Sequence, residues 1–249
     1  MRFPNQETKI KDFDAWIQPE NLLEFYYRED GDLIQLLFVK SCLDERAVQC
    51  TLLIHYMPYS RMDRKIVGDL FTLKYLCQFI NQMHFDQVLV VEPHSSVTMD
   101  LLARSTPIYP VLDWLAQVKL EMGFSTNDRI IFPDKGAAAR YQEAGLTQVC
   151  VFEKTRNPTT GRIEGMLLKE GDLPEGAKCL IIDDLCSKGG TFLAVGNILK
   201  ALGAQSINLL VSHCEETIFA GKLLEEGSPI NRIYTSNSMM EIAHPHLNY

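Results

Sequence analysis

The sequence predicts an α/β protein of two similar lobes, each built on a largely parallel sheet. Three observations carry this expectation. Short unbroken apolar runs, most clearly Gln87–Val91, Arg129–Phe132 and Cys179–Ile182, stop abruptly at charged or glycine-containing turns, as strands buried on both faces do. Apolar-periodic stretches of helical length separate them, which implies right-handed βαβ units. The pattern then restarts near residues 105–125, which divides the chain into lobes over residues 1–115 and 116–249.

Taken in order, residues 1–32 are mixed and polar, opening with Arg2-Phe3-Pro4-Asn5-Gln6-Glu7. Leu33–Val39 and Val48–Tyr56 are apolar and bounded by acidic turns, so both read as strands. A charged loop follows at Met57–Lys65. Leu70, Leu73, Leu76, Phe79 and Ile80 lie near helical spacing and predict a helix over Val67–Met83. The strand Gln87–Val91 runs into Glu92-Pro93-His94-Ser95-Ser96. A helix is expected over Val111–Met122, a strand over Arg129–Phe132 and a short helix over Ala137–Ala144. Gln148–Phe152 reads as a strand leading to Glu153-Lys154-Thr155-Arg156 and a polar segment ending at Glu164. Then come the strand before Asp183, a helix to Leu202, the strand Ile207–Ser212, a helix over Thr217–Glu225 and a last strand, Arg232–Thr235.

Composition narrows the class. The chain has 249 residues, 46% hydrophobic and 22% charged, ordinary values for a globular protein. A net charge of −8 argues against a non-specific nucleic-acid surface. No apolar run reaches the roughly 18 residues of a membrane helix, and the opening MRFPNQETK lacks the plan of a signal peptide. The seven cysteines are scattered singly with no C-x-x-C pair, which points to reduced thiols and a cytoplasmic location.

The chemistry gathers at strand ends, where open parallel sheets bind ligands. The richest stretch is Lys178–Phe192, KCLIIDDLCSKGGTF. Asp183 and Asp184 end an apolar run, and Ser187, Lys188, Gly189, Gly190 and Thr191 lead into a helix. Glycines let the backbone turn its amides inward, and the helix adds its positive N-terminal end, so the stretch forms a phosphate cradle. The paired carboxylates are placed for sugar hydroxyls or a metal. Elsewhere Arg61, Asp63 and Arg64 follow one strand, His94 a second, Asp134 a third, and Lys154 with Arg156 a fourth. Singly, each has an ordinary explanation: a solvated charge cluster, a structural histidine, a helix cap, surface cations. Their shared position after buried strands favours function. Arginines and a lysine neutralise phosphoryl oxygens. His94 and Asp134 can hold Mg²⁺ directly or through its waters. No Walker, Rossmann or kinase signature is present.

The loop DDLCSKGGT resembles the D-D-x-x-D-T-G-G-T phosphoribosyl-diphosphate loop of type I phosphoribosyltransferases and ribose-phosphate diphosphokinases. The whole motif order resembles the ribose-phosphate diphosphokinase (PRPP synthetase) family in particular. Where that family shows F-x-D-G-E, P-Y-x-R-Q-D-R-K, D-L-H-x-x-Q, S-P-D-x-G-G and D-K-x-R, this chain has RFPNQE, PYSRMDRK, VEPHSSVT, FPDKGA and FEKTR, in the same order over residues 2–236. The resemblance implies a type I phosphoribosyltransferase-like fold and transfer of diphosphate from ATP to the anomeric hydroxyl of ribose 5-phosphate, releasing AMP. Carried over, Phe3, Asn5 and Glu7 contact adenine across a subunit interface, which implies at least a dimer. Arg61 and Asp63 face ATP, and His94 and Asp134 serve Mg–ATP. Lys154 and Arg156 stabilise the transferring group. Asp183 and Asp184 take the ribose hydroxyls, and Ser187–Thr191 the 5′-phosphate.

Departures from the family pattern bear on the acceptor and on assembly. The strand that usually precedes F-x-D-G-E is missing, the stretch after PYSRMDRK is short, and the C-terminal portion is reduced, which puts family allostery and hexamer packing in doubt. Asn5, Met62, Ser187 and Lys188 replace the family's Asp, Gln and Asp-Thr. Lys188 adds a charge and a long arm, which raises an acceptor with a larger 5′ group, such as ADP-ribose, beside ribose 5-phosphate. A type I phosphoribosyltransferase needs neither PYSRMDR nor KTR, and a non-catalytic paralogue would not need the Lys154–Arg156 pair. Both remain alternatives.

Overall fold

The computed structural model describes residues 3–5, 7–156, 163–240 and 247–248. The chain divides into two compact units, Met1–Ile108 and Tyr109–Tyr249. The division falls before the helix Pro110–Met122, which packs wholly within the second unit.

The first unit holds a four-stranded parallel sheet in the order β1 (Glu20–Phe25), β2 (Gln49–Ile54), β3 (Gln87–Val91) and β4 (Ser105–Ile108). The crossovers are α1 (Gly31–Glu45), α2 (Thr72–Gln82) and α3 (Ser96–Leu101). Leu52, Ile54, Val88 and Val90 from the sheet pack with Leu73, Cys77 and Ile80 of α2. Leu33–Val39 is not a strand; it lies inside α1. Leu36, Lys40 and Leu43 are the buried face of that helix, a spacing of four then three residues. No glycine or proline interrupts residues 32–45, so the apolar run can extend to helical length. The helix expected from Val67 starts only at Thr72, because Val67 and Leu70 are exposed.

The second unit carries seven strands in the order β11-β10-β9-β8-β5-β6-β7. They are β5 (Arg129–Phe132), β6 (Val149–Arg156), β7 (Ile163–Glu170), β8 (Lys178–Cys186), β9 (Ser206–Cys214), β10 (Arg232–Tyr234) and β11 (Leu247–Asn248). All pairings are parallel except β6 with β7. α4 (Pro110–Met122) and α5 (Lys135–Arg140) cover one face through Leu115, Val118, Ala137 and Tyr141. α6 (Gly190–Ala201) covers the other through Phe192, Val195 and Leu199. Residues 157–162 of the expected polar segment lie outside the described residues; from Ile163 an unexpected strand, β7, pairs antiparallel with β6, with Lys154 opposite Met166. The helix expected over Thr217–Glu225 is a single 3₁₀ turn, Glu216–Ala220.

The strand order reverses between β5 and β8. The chain leaves β5 toward β6 on one side and leaves β8 toward β9 on the other. Loops diverge at such a point and open a crevice at the carboxyl ends of the two strands, the usual ligand position in an open parallel sheet.

Candidate active site

Within the second unit, the predicted residues of β5, β6 and β8 form one charge network at this reversal. Asp134 follows β5 and caps α5, with Oδ1 accepting from the Ala137 amide at 3.0 Å. Its Oδ2 meets Nζ of Lys154, on β6, at 2.6 Å. The ammonium and the amide hold the Asp134 carboxyl below its ordinary range against the opposing effect of burial. Gly136 sits close over this carboxylate: a Cβ there would lie 3.1 Å from Oδ1.

Asp183 and Asp184 lie within β8 rather than beyond it, and a residue the sequence reading missed holds both. Arg140, the last residue of α5, places Nη1 2.9 Å from Asp183 and Nη2 3.2 Å from Asp184. Its side chain is only 6% exposed. The small residues Gly136–Ala139 let α5 pack closely enough for Arg140 to reach the strand. Burial first, and then the neighbouring Asp184, push the Asp183 carboxyl up to about 7, with Arg140 opposing them. Two carboxylates facing one guanidinium leave a local excess of negative charge. Asp134 adds to it and also feels Arg140, so the two ion-paired groups are electrostatically linked.

The loop after Asp184 turns at Gly189, in the left-handed region at φ 76°, and α6 begins at Gly190 and Thr191. No side chain caps this helix, so its first amides face the loop unoccupied by the usual capping group. Lys188 is exposed. The Ser187 hydroxyl is held by residues beyond β9: it donates to Oε2 of Glu215 at 2.6 Å and lies 2.9 Å from the Thr217 hydroxyl. Glu215 and Thr217 were also missed, being 28 and 30 residues away in sequence. Arg156 ends β6, and its side chain lies outside the described residues.

In the first unit, Arg61 and Asp63 follow β2, and His94 follows β3, its parallel neighbour in the sheet, so all three come after the carboxyl ends of adjacent strands. Arg61 is exposed, whereas Asp63 and His94 are half-buried. Glu92, just after β3, is buried at φ 45°, a left-handed conformation that is strained for a non-glycine residue. Phe3, Asn5 and Glu7 are exposed around one small turn, in which Phe3 N donates to the Glu7 carbonyl at 2.9 Å.

Among the described residues, no three His, Cys, Asp or Glu side chains gather as a metal cage. A largely hydrated Mg²⁺ needs few protein ligands and would not require such a cage. Asp134 offers a hard oxygen to such an ion only by sharing or releasing Lys154.

Residues 136–220 match the phosphoribosyl transferase domain, an interval that spans Arg140, Lys154, Asp183, Asp184 and the glycine loop. The ribose-phosphate pyrophosphokinase of Sulfolobus acidocaldarius is 28% identical over 85% of this chain and 74% of its own length. That of Pyrococcus abyssi is 27% identical over 96% and 82%. The structure of phosphoribosylpyrophosphate synthetase from Mycobacterium smegmatis superposes with a TM-score of 0.75, covering 91% of this chain and 76% of that one, at 17% identity. That likeness concerns the fold. The fold is α/β and type I phosphoribosyltransferase-like, and over most of its length the sequence is similar to ribose-phosphate pyrophosphokinases.

Proposed function

We propose that the chain is an ATP-dependent diphosphotransferase acting on a ribose 5-phosphate-type acceptor. The anomeric hydroxyl attacks the β-phosphorus of ATP, the bond to the α,β-bridging oxygen breaks, AMP leaves and the hydroxyl proton is released. One observation carries this reading: Asp183 and Asp184, both fixed by Arg140, stand directly before the Gly189–Gly190 turn and the uncapped start of α6, at the strand-order reversal. This is one place for vicinal sugar hydroxyls beside another for a phosphate.

In this reading Asp183 and Asp184 accept the ribose hydroxyls, and Ser187, Lys188, Gly189, Gly190 and Thr191 surround the 5′ group. Lys154 and Arg156 neutralise charge on the transferring phosphoryl group, whose transition state depends mainly on positioning and electrostatics. Phe3, Asn5, Glu7, Arg61 and Asp63 serve the nucleotide. Mg²⁺, carried by ATP, would screen its phosphates and polarise the β-phosphoryl group, with His94 and Asp134 as protein contributors. Adenine contact by Phe3, Asn5 and Glu7 across a subunit interface, as the family resemblance implies, favours at least a dimer. Buried free thiols and the lack, among the described residues, of a helix able to cross a membrane accord with a cytoplasmic enzyme.

The test is Lys154→Ala, expected to abolish AMP formation while ATP still binds; unchanged turnover would refute the assignment. A second reading has one observation in its favour. Lys188 is exposed at the loop while Ser187 is engaged by Glu215, so the loop has room and charge for a 5′ group larger than a phosphate, such as that of ADP-ribose. Comparing AMP release with ribose 5-phosphate and with ADP-ribose separates the two, and better turnover with ribose 5-phosphate dismisses the larger acceptor.

A further inference from the structure

The outside of the acceptor loop is moulded by residues 215–223. The Glu215 amide donates to the Cys186 carbonyl at 2.8 Å, which fixes the residue where β8 and β9 end together. Its Oε2 accepts from Ser187 at 2.6 Å and from Thr217 at 2.8 Å, closing a triangle whose third side is the 2.9 Å Ser187–Thr217 contact. Farther along, Gly221 packs on the backbone of Lys188, where a Cβ would come 2.1 Å from the carbonyl oxygen. Gly189 packs on Leu223 in the same way, at 2.7 Å. Glu215 therefore cannot withdraw without breaking two hydroxyl bonds, and its segment is pressed against the loop on both sides.

A carboxylate bonded to a loop that should receive a phosphate is unusual on charge grounds. The start of a helix contributes only about half a positive charge, whereas Glu215 brings a full negative one. Lys188 is exposed and long, so its attraction is screened by solvent. The Arg140–Asp183–Asp184 cluster, between α5 and β8, is near neutral while Asp183 holds its proton and gains a negative charge as that carboxyl ionises. A first negative charge on the 5′ group is favoured by the amides. A second meets more repulsion than attraction.

We propose that Glu215 is a specificity-determining residue that tunes the Ser187–Thr191 loop to a 5′ phosphoryl group carrying a single negative charge. This rests on the reading of the loop as the acceptor's cradle. Such a group has two sources: a phosphate monoester in its protonated form, or a phosphodiester. The monoester loses its proton with a pKa near 6 and the diester keeps one charge throughout.

The experiment measures the KM of ribose 5-phosphate and of its 5′-methyl phosphodiester, by AMP release, from about pH 5.5 to about pH 8.5, across the monoester's second ionisation. Other charged or ionisable groups around the loop are Arg140, Asp183, Asp184, Lys188, His213, Glu216 and the Cys186 and Cys214 thiols. The native protein and Glu215→Gln share these groups, so the difference between their pH profiles isolates Glu215. In the native protein the monoester-to-diester ratio should rise about tenfold across this range, and in Glu215→Gln by no more than about twofold. Thr217→Val keeps the charge and should keep the rise, which separates charge from loop structure. A ratio that stays flat in active native protein, or rises equally in Glu215→Gln, overturns the proposal. If Glu215→Gln does not fold, Ser187→Ala, which removes the hydroxyl tying that carboxylate to the loop, takes its place and should likewise flatten the rise, and an undiminished rise overturns the proposal. Absence of AMP from both acceptors would instead overturn the functional reading beneath it.

Discussion

Arg140 lies between Asp183 and Asp184, 2.9 Å from one and 3.2 Å from the other, and all three side chains are largely withdrawn from water. The pair of acids proposed for the acceptor is thus the acidic part of a buried ion cluster whose arginine lies 43 residues before Asp183. Replacing Arg140 by methionine leaves two carboxylates facing each other without compensation. Breaking a buried pair in this way costs about 3–5 kcal/mol. Arg140→Met should lower the urea midpoint accordingly, and Arg140→Lys, which keeps the charge but not the fork, should fall between. Native-like stability of Arg140→Met would show that the cluster is wetter than its geometry implies.

The raised pKa of Asp183 gives a stability effect of definite sign. Its folded value, about 7, lies above the ordinary 3.8. The folded chain therefore binds this proton more tightly, and the associated stability is complete below about pH 4 and lost as pH rises through 7. Asp183→Asn has no such proton to lose. Between about pH 5 and pH 8 the native protein should lose about 1–3 kcal/mol relative to that variant. Urea unfolding at both values reads this directly, and parallel behaviour of the two proteins would contradict it.

Gly221→Ala should act on the acceptor rather than on ATP. The added methyl would lie 2.1 Å from the Lys188 carbonyl oxygen, so the backbone of the loop must move. The KM for the acceptor is expected to rise at least about tenfold, with a much smaller change for ATP, since displacement by about 1 Å can cost a hundredfold in a positioned site. Equal effects on both substrates would mean that the second unit as a whole had been loosened.

Thiol reactivity should single out Cys42. Burial pushes the thiol of Cys50 up to about 11 and those of Cys77 and Cys179 up to about 12. Cys42 is half-buried, with Nη1 of Arg46 2.9 Å from its sulfur. Iodoacetamide at mildly alkaline pH should label Cys42 first, with the buried thiols following only on unfolding. Comparable native labelling of Cys179, located by peptide mass, would count against the core described here.

What the sequence made legible follows from where each residue's energy comes from. Gln87–Val91, Arg129–Phe132 and the start of β8 are buried on both faces, so continuous apolar runs mark them. β1 and β7 are edge strands in their sheets and mix apolar with charged residues, which hides them. Leu33–Val39 misled because a dense apolar run has no period; the buried set Leu36, Lys40 and Leu43 becomes visible only once one of its members is accepted as a lysine. That lysine is buried because it pairs with Asp44 and stacks over Phe85. At the site, the position of Asp134 after β5 and of the glycine loop before α6 was readable, since local turn chemistry dictates it, whereas Asp183, read as ending its strand, lies inside β8. Arg140 and Glu215 were not, because their partners come from distant strands and nothing in AAAR or HCEE announces them.

Asp134 joins β5, α5 and β6 through two oxygens, one on a helix amide and the other on Lys154. In the resting protein, the lysine assigned to the transferring phosphoryl group is thus parked on a surrogate anion. Drawing it onto a nucleotide would trade one anionic partner for another instead of recruiting a free cation, and would leave the Asp134 carboxylate without its ammonium as the phosphates arrive. The same trade uncovers one oxygen of Asp134 at the moment an incoming divalent ion would need a ligand. Loading the donor and exposing the ion's protein contact would then be a single event, timed by where Lys154 goes.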